Sequence, residues 1–313
     1  MKNLGTVLIV VLALAVGIGG VVSASSPEFI VIASGSPGGV YFPLGAGMAN
    51  IISRDVDGVI AQSESTGASV ENVRYVGRKE SEMGMAMANV AYSAYAGEGD
   101  FADDRQDIVA LFAMYPAQQH LIVAASSDIH SVADLVGKTV SVDAPGSGCE
   151  VTSYIILEAA GIRDDVRTAN YSQPEAAEAL KDGNVDAVFY NFASPGSVVD
   201  EIMITRELRF IPIEDAILDA IIADYPYFTK GVIPAGHYGL AEDVSALTVG
   251  NLMVVHEDMD EDMAYNIVKT LFSENSLHEM SGIHPIGRVM NTSVAAISPI
   301  PLHPGAAKFF AEE

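Results

Sequence analysis

The chain has 313 residues, half of them apolar, with 41 acidic against 16 basic side chains and a formal net charge of −25. That length is about twice a usual ~150-residue domain and supplies two cores, which excludes collagenous, disordered and disulfide-scaffold classes. The acid excess excludes nucleic acid as a partner, because a binder must neutralise phosphates with Lys and Arg, although a pocket built of backbone N–H groups can still hold an anion.

The first 24 residues read as a secretory signal peptide. Lys2 gives a positive start, Val7 to Val16 form an apolar core, and Val22-Ser23-Ala24 offers a small-residue cleavage site. Cleavage is expected after Ala24; the rival reading is an uncleaved anchor, since Leu4 to Val22 is nearly long enough to span a bilayer. Nothing after residue 25 is apolar enough to do so. Cys149 is the one cysteine, which rules out both an intramolecular disulfide and a lipid-modified N-terminus.

From there strand, polar loop and helix alternate. Residues 28–33 predict a buried strand running into the Gly- and Pro-rich loop 34–39, and 42–54 predict a helix with Leu44, Met48, Ile51 and Ile52 on its apolar side. A short strand over 59–62 ends in Ser63-Glu64-Ser65-Thr66-Gly67, followed by a helix over 68–76, a strand over 83–88 and a helix from Val90. The pattern then restarts. Apolar runs at 108–114 and 121–125 flank the more polar stretch 115–120. A strand over 139–142, the loop 143–148 and a helix over 149–160 follow, then a helix over 174–181 and a strand over 187–190. An extended run at 248–255 returns the chain to the first lobe, where 260–272 form a helix. The grammar is α/β with a largely parallel sheet, in two lobes: 25–119 plus 251–313, and 120–250 inserted between them.

In such folds ligands bind where strands run into helix N-termini, whose unpaired N–H groups take carboxylate or phosphate without a basic side chain. Three loops fit: Ser34 to Tyr41, Ser65 to Ser69, and Ser147-Gly148-Cys149. Taken singly, Ser and Thr before a helix are N-caps, Gly-rich loops are turns and a lone Cys is a small buried residue. Recurrence in both lobes is what points to a ligand. Enzyme motifs fail by comparison. Ala144-Pro145-Gly146-Ser147-Gly148 lacks the glycine spacing of a nucleophile elbow, no phosphate loop is present, and His278-Glu279 is followed by His284, two residues too late for a zinc helix.

Ordered along the chain, S-G-S-P-G-G-V-Y-F-P (34–43), S-T-G-A-S-V-E-N-V-R (65–74), S-V-D-A-P-G-S-G-C (141–149), D-G-N-V-D-A-V-F-Y-N-F-A-S-P (182–195), I-P-A-G-H-Y (233–238) and L-H-P-G-A-A-K-F-F (302–310) form a set. It resembles TAXI-type solute receptors, the extracytoplasmic partners of tripartite ATP-independent periplasmic (TRAP) transporters. The resemblance implies a type II periplasmic-binding-protein fold, two α/β lobes joined by crossing strands around a ligand cleft. It implies a small anionic solute, a glutamate-like amino acid or dicarboxylate, handed to an ion-driven integral-membrane TRAP permease, with no cofactor, metal or catalytic residue. Carried over residue by residue, the ligand shell is Gly39, Tyr41, Ser65, Thr66, Gly67, Asn89, Ser147, Gly148 and Cys149. Cys149 stands where Thr is usual and Asn89 where Gln is frequent, so the ligand can differ from the familiar one. Arg74 lies within a helix and is expected to pair with acidic neighbours. The rival functions are an exported hydrolase using Ser147 and a binding module feeding a membrane sensor.

Overall fold

A continuous apolar run, Phe29 to Ala33, makes Glu28–Ala33 a strand, β1, and the spacing of Leu44, Met48, Ile51 and Ile52 lays one face of α1 (Tyr41–Asp55) on the sheet. The computed structural model describes residues 27–313 apart from Gly38, so the expected signal peptide, residues 1–24, lies outside the described residues. The chain continues through β2 (Val59–Glu64), α2 (Ser69–Gly77), β3 (Met83–Met87) and α3 (Ala88–Ala96) into a 17-residue strand, β4 (Ile108–Ala124). Next come β5 (Thr139–Ser141), α4 (Gly148–Ala159), β6 (Arg167–Ala169), α5 (Gln173–Asp182), β7 (Ala187–Phe192), α6 (Ser197–Met203) and β8 (Leu208–Phe210). Helix α7 (Asp215–Asp224) and β9 (Phe228–Ile233) lead to the long β10 (Val244–His256), and α8 (Glu261–Leu271), α9 (Glu274–Ile283), α10 (Thr292–Ala295) and α11 (Pro304–Glu312) complete the chain.

Local chemistry sets many of these bounds. Ser172 and Glu175 form a reciprocal capping box at the start of α5, and Gly183, at φ 75°, ends it in the left-handed region that glycine adopts most easily. Asp260 accepts from Met263 N–H to cap α8.

The strands form one ten-stranded sheet, ordered β2-β1-β3-β10-β4-β7-β5-β6, with β8 on β4 and β9 on β10. It is less parallel than the sequence suggests. Parallel pairs join β2, β1 and β3 at one end and β7, β5 and β6 at the other, but β10 and β4 run antiparallel to their neighbours between them. This is the two-lobed type II arrangement, with β4 and β10 as the crossing strands. Pairing from Ile108↔His256 to Gln118↔Thr248 runs without a loop through residues 115–120. Pro116, which has no N–H to donate, is exposed opposite Gly250, beside the register shift at Asn251/Leu252.

One core cluster packs α1, α8 and α11 on the first end of the sheet, around Leu44, Phe112, Ile267 and Phe309. Another packs α5 and α6 on the far end, around Leu180, Tyr190, Phe192 and Val199. A third runs from Val73 and Val90 through Leu252 to Ile156, Phe189 and Leu218, so the two lobes share a continuous apolar layer. Among the described residues no helix is long and apolar enough to cross a membrane.

Candidate functional site

Four turns converge between the lobes: the β1–α1, β2–α2, β5–α4 and β6–α5 connections. They line a cavity of about 70 Å³. Its wall in the first lobe is a knot of side chain to backbone bonds. Ser34 N–H and Oγ both donate to Glu64 O, at 2.9 and 2.6 Å, and Ser65 Oγ donates to Gly35 O at 2.9 Å. Thr66 Oγ1 donates to Asn72 Oδ1 at 2.6 Å and accepts from Ala68 N–H at 3.0 Å, while Asn72 Nδ2 reaches Ser34 O and Met85 O. The hydroxyls that the sequence offers to a ligand are therefore spent on holding the loops. Glu71 folds back to accept from Gly67 N–H at the mouth of α2.

The second lobe answers with the loop before α4. Ser147 Oγ accepts from Glu150 N–H at 3.1 Å as an N-cap, and Glu150 accepts from Gly146 N–H at 2.7 Å. Asp143 and Gly146 turn the chain at φ 79° and 74°. The lobes touch here. Val70 N–H of α2 donates to Gly146 O at 3.0 Å, and a Cβ on Gly148 would collide with Met87 Sδ and stand 2.9 Å from Ser69 Oγ. Glycine at 148 is thus what permits this approach. The N–H groups of Ser69, Gly148 and Cys149, in the first turns of α2 and α4, meet no acceptor among the described residues. They carry the positive ends of two helix dipoles.

The floor comes from the crossing strands. Tyr41 hydroxyl donates to Asn251 Oδ1, and Asn251 Nδ2 donates to Tyr115 O at 3.1 Å. Burial raises both phenols well above the ordinary tyrosine range, so both stay neutral. Asn191 Nδ2 donates to Gln119 Oε1 at 2.9 Å, and Gln119 Nε2 in turn reaches Cys149 Sγ at 3.2 Å and Ser153 Oγ at 2.9 Å. Burial, with Asp143 nearby, raises the Cys149 thiol well above its usual value, so the sulfur is a protonated wall atom rather than a nucleophile. Asp143, 6% exposed, lines the cavity, and burial pushes its carboxyl up to about 6.

Of the residues expected from the sequence, Gly39, Tyr41, Thr66, Gly67, Ser147, Gly148 and Cys149 line this cavity. Ser65 and Asn89 do not. Ser65 turns its hydroxyl to Gly35, and Asn89, on α3, donates to Thr152 Oγ1 at 3.3 Å beside a separate groove between α3 and α4. Arg74 lies away from the cavity, with Nε 3.3 Å from Asp104 and its guanidinium over the Phe101 ring. Ser69, within the second candidate loop, also lines the cavity; sequence reasoning missed Asp143, Gln173, Asn191 and Asn251. A lone amide inside an apolar strand was the available signal for Asn191 and Asn251. Asp143 stood in plain view at the head of its loop. No Lys, Arg or His lines the cavity among the described residues, and no group of three or more His, Cys, Asp or Glu there could hold a metal.

A family model described as the NMT1-like family matches residues 32–313. A Xanthomonas citri protein solved with ATP bound is similar in fold, at 11% identity over 92% of this chain and 95% of that one, with a TM-score of 0.56. The binding-protein component of a phosphonate ABC transporter from Pseudomonas aeruginosa is similar at 14% identity over 83% and 79%, with a TM-score of 0.54.

Proposed function

The chain belongs to the NMT1-like family, and from that membership and the cleft we propose that it is an extracytoplasmic receptor that captures a small carboxylate. The observation that carries this reading is the set of N–H groups of Ser69, Gly148 and Cys149, without an acceptor among the described residues, at two helix mouths on one cavity. Such groups stabilise an anion without a basic side chain. Gly39, Tyr41, Thr66, Gly67 and Ser147 complete the ligand shell, with Ser65 bracing the loop and Asn89 behind it. The small volume favours a ligand of amino-acid or dicarboxylate size over a larger one. The described residues of the segments 25–119 and 251–313 form one jaw and 120–250 the other, hinged where β4 and β10 cross.

The first 24 residues support export as a cleaved signal peptide. The TAXI-like loops support delivery to an ion-driven TRAP permease, and the Pseudomonas protein is the precedent for an ABC partner instead. Uptake by cells carrying the receptor and its permease should collapse when the ion gradient is dissipated, whereas collapse on ATP depletion alone assigns the ABC type. Against a hydrolase, Ser147 Oγ is engaged as a helix cap and Cys149 is held protonated. The test of the receptor reading is mass spectrometry of the small molecules released on denaturing the chain purified from its own host. A stoichiometric small carboxylate is expected; release of a large or uncharged ligand overturns the reading.

A further inference from the structure

Asp143 is the one acidic side chain lining the cavity among the described residues, and no cation lines it to pair with. Ala144 N–H donates to Oδ1 at 2.7 Å, and the neutral side chains of Gln173 and Cys149 flank the carboxyl. Burying a carboxylate with only neutral donors is unfavourable. Its backbone, at φ 79°, lies in the left-handed region where a residue with a Cβ is strained. The chain thus keeps an acid where burial opposes the charge and the backbone favours glycine. Glu150, whose carboxylate sits at Gly146 N–H in the same loop, adds like charge rather than relief. Asp143 is also unnecessary for starting α4, which Ser147 caps.

An anion held at the N–H groups of Gly148 and Cys149 would lie in the same small cavity as this carboxylate. A second carboxylate on the ligand, or a keto oxygen, would bring an acceptor against an acceptor. An ammonium would give the Asp143 carboxylate its missing partner. We infer that Asp143 is a specificity-determining residue that selects ligands carrying an ammonium group beside the carboxylate, so that the substrate class is the zwitterionic α-amino acids and not the dicarboxylates or 2-oxo acids. This rests on the carboxylate-receptor reading above.

Calorimetry on the ligand-stripped chain tests it with matched pairs, each L-α-amino acid against the 2-oxo acid of the same skeleton, such as L-glutamate against 2-oxoglutarate. The native chain should bind at least one amino acid about a hundredfold tighter than its oxo acid, as expected when one partner of a buried charge pair is missing. Asp143→Asn should shrink that ratio below about tenfold, because the neutral amide no longer favours a cation over a neutral group. Asp143→Gly removes the group and suits the positive φ, so it serves where the Asn variant fails to fold. Oxo acids bound as tightly as amino acids by the native chain overturn the inference and leave the receptor reading standing. Discrimination undiminished in both variants places the ammonium elsewhere and also overturns it. Failure of the native chain to bind any acid of either set overturns the carboxylate reading, and the inference with it.

Discussion

The two helix mouths that face each other across the cleft are built alike and charged differently. At each, a glutamate in the first turn folds back onto a loop N–H: Glu71 onto Gly67 and Glu150 onto Gly146. Around α2, however, the Ser65 and Thr66 hydroxyls are tied into their own lobe through Gly35, Ser34 and Asn72, and Ser69 Oγ accepts from Met87 N–H. The loop before α4 instead carries a buried acid at a strained φ and a glycine pressed against the opposite lobe. The first mouth is braced by its own lobe and leaves only backbone N–H, that of Ser69, to a ligand. The second holds what only closure and a ligand can satisfy, and there selectivity can reside.

Exchanging the same atoms on the two sides sharpens this contrast. Gly148→Ala should weaken ligand binding about a hundredfold, roughly 3 kcal/mol, because its Cβ would collide with Met87 Sδ in the closed form. Gly67→Ala places its Cβ 3.0 Å from the flexible end of Glu71 and should change affinity by less than about fivefold. Calorimetry on both variants with the same ligand makes the comparison; equal losses break the asymmetry.

Asp143→Asn should stabilise the ligand-free chain by ~2 kcal/mol at pH 7–8, a value discounted from the full linkage of a carboxyl raised to about 6 because opening rehydrates it. The sign follows from a folded pKa above the unfolded one. The folded state then binds more protons, so the native penalty fades as pH falls from about 6 toward 4 and the advantage of the variant fades with it. His120, buried and lowered to about 4, acts the other way: a base that must stay neutral loses stability as pH falls through that same window. It is common to both proteins and cancels in their difference. Thermal melts across pH 4–8 should show the two curves converging in acid.

The smallest expected effects are on the hydroxyls. Thr66→Val removes one donor and one cap acceptor of the knot at α2 and should cost ~1–2 kcal/mol of stability; Ser147→Ala removes an N-cap and should cost ~1 kcal/mol. Both are read by denaturant melts. A larger loss of affinity than of stability at Thr66 would move the anion to the first lobe.

The three loops were legible in the sequence because Gly, Pro, Ser and Thr interrupt apolar runs at strand-to-helix junctions, and the chemistry of such junctions is local. The unbroken course of β4 was not. Pro116, Gln118, Gln119 and His120 have the composition of a loop, and they sit in a strand because partners distant in sequence receive them. Gln119 bonds Cys149, Ser153 and Asn191, and His120 packs on Phe192 at 4.5 Å between ring centres. The position of Asn89 depends on distant packing for the same reason. Its place after a strand suggested the cleft, but the turn of α3 points it at Thr152. Helices α6, α9 and α10 and strands β8 and β9 lie in short segments whose pattern does not separate them from loops, whereas α7, with Ile217, Leu218, Ile221 and Ile222 at helical spacing, was legible and overlooked.

Strand β10 enters the sheet between β3 and β4, although it is made more than a hundred residues after both begin. Until it arrives, the edges of β3 and β4 that will flank it are unpaired, and α8 and α11, which close the core over Phe112, have not been synthesised. The pairing Ile108↔His256 closes a loop that contains the whole second lobe, an entropic cost met before the pairing itself stabilises anything. Folding of this chain is therefore expected to wait on one late insertion, with two open strand edges exposed to other chains in the meantime.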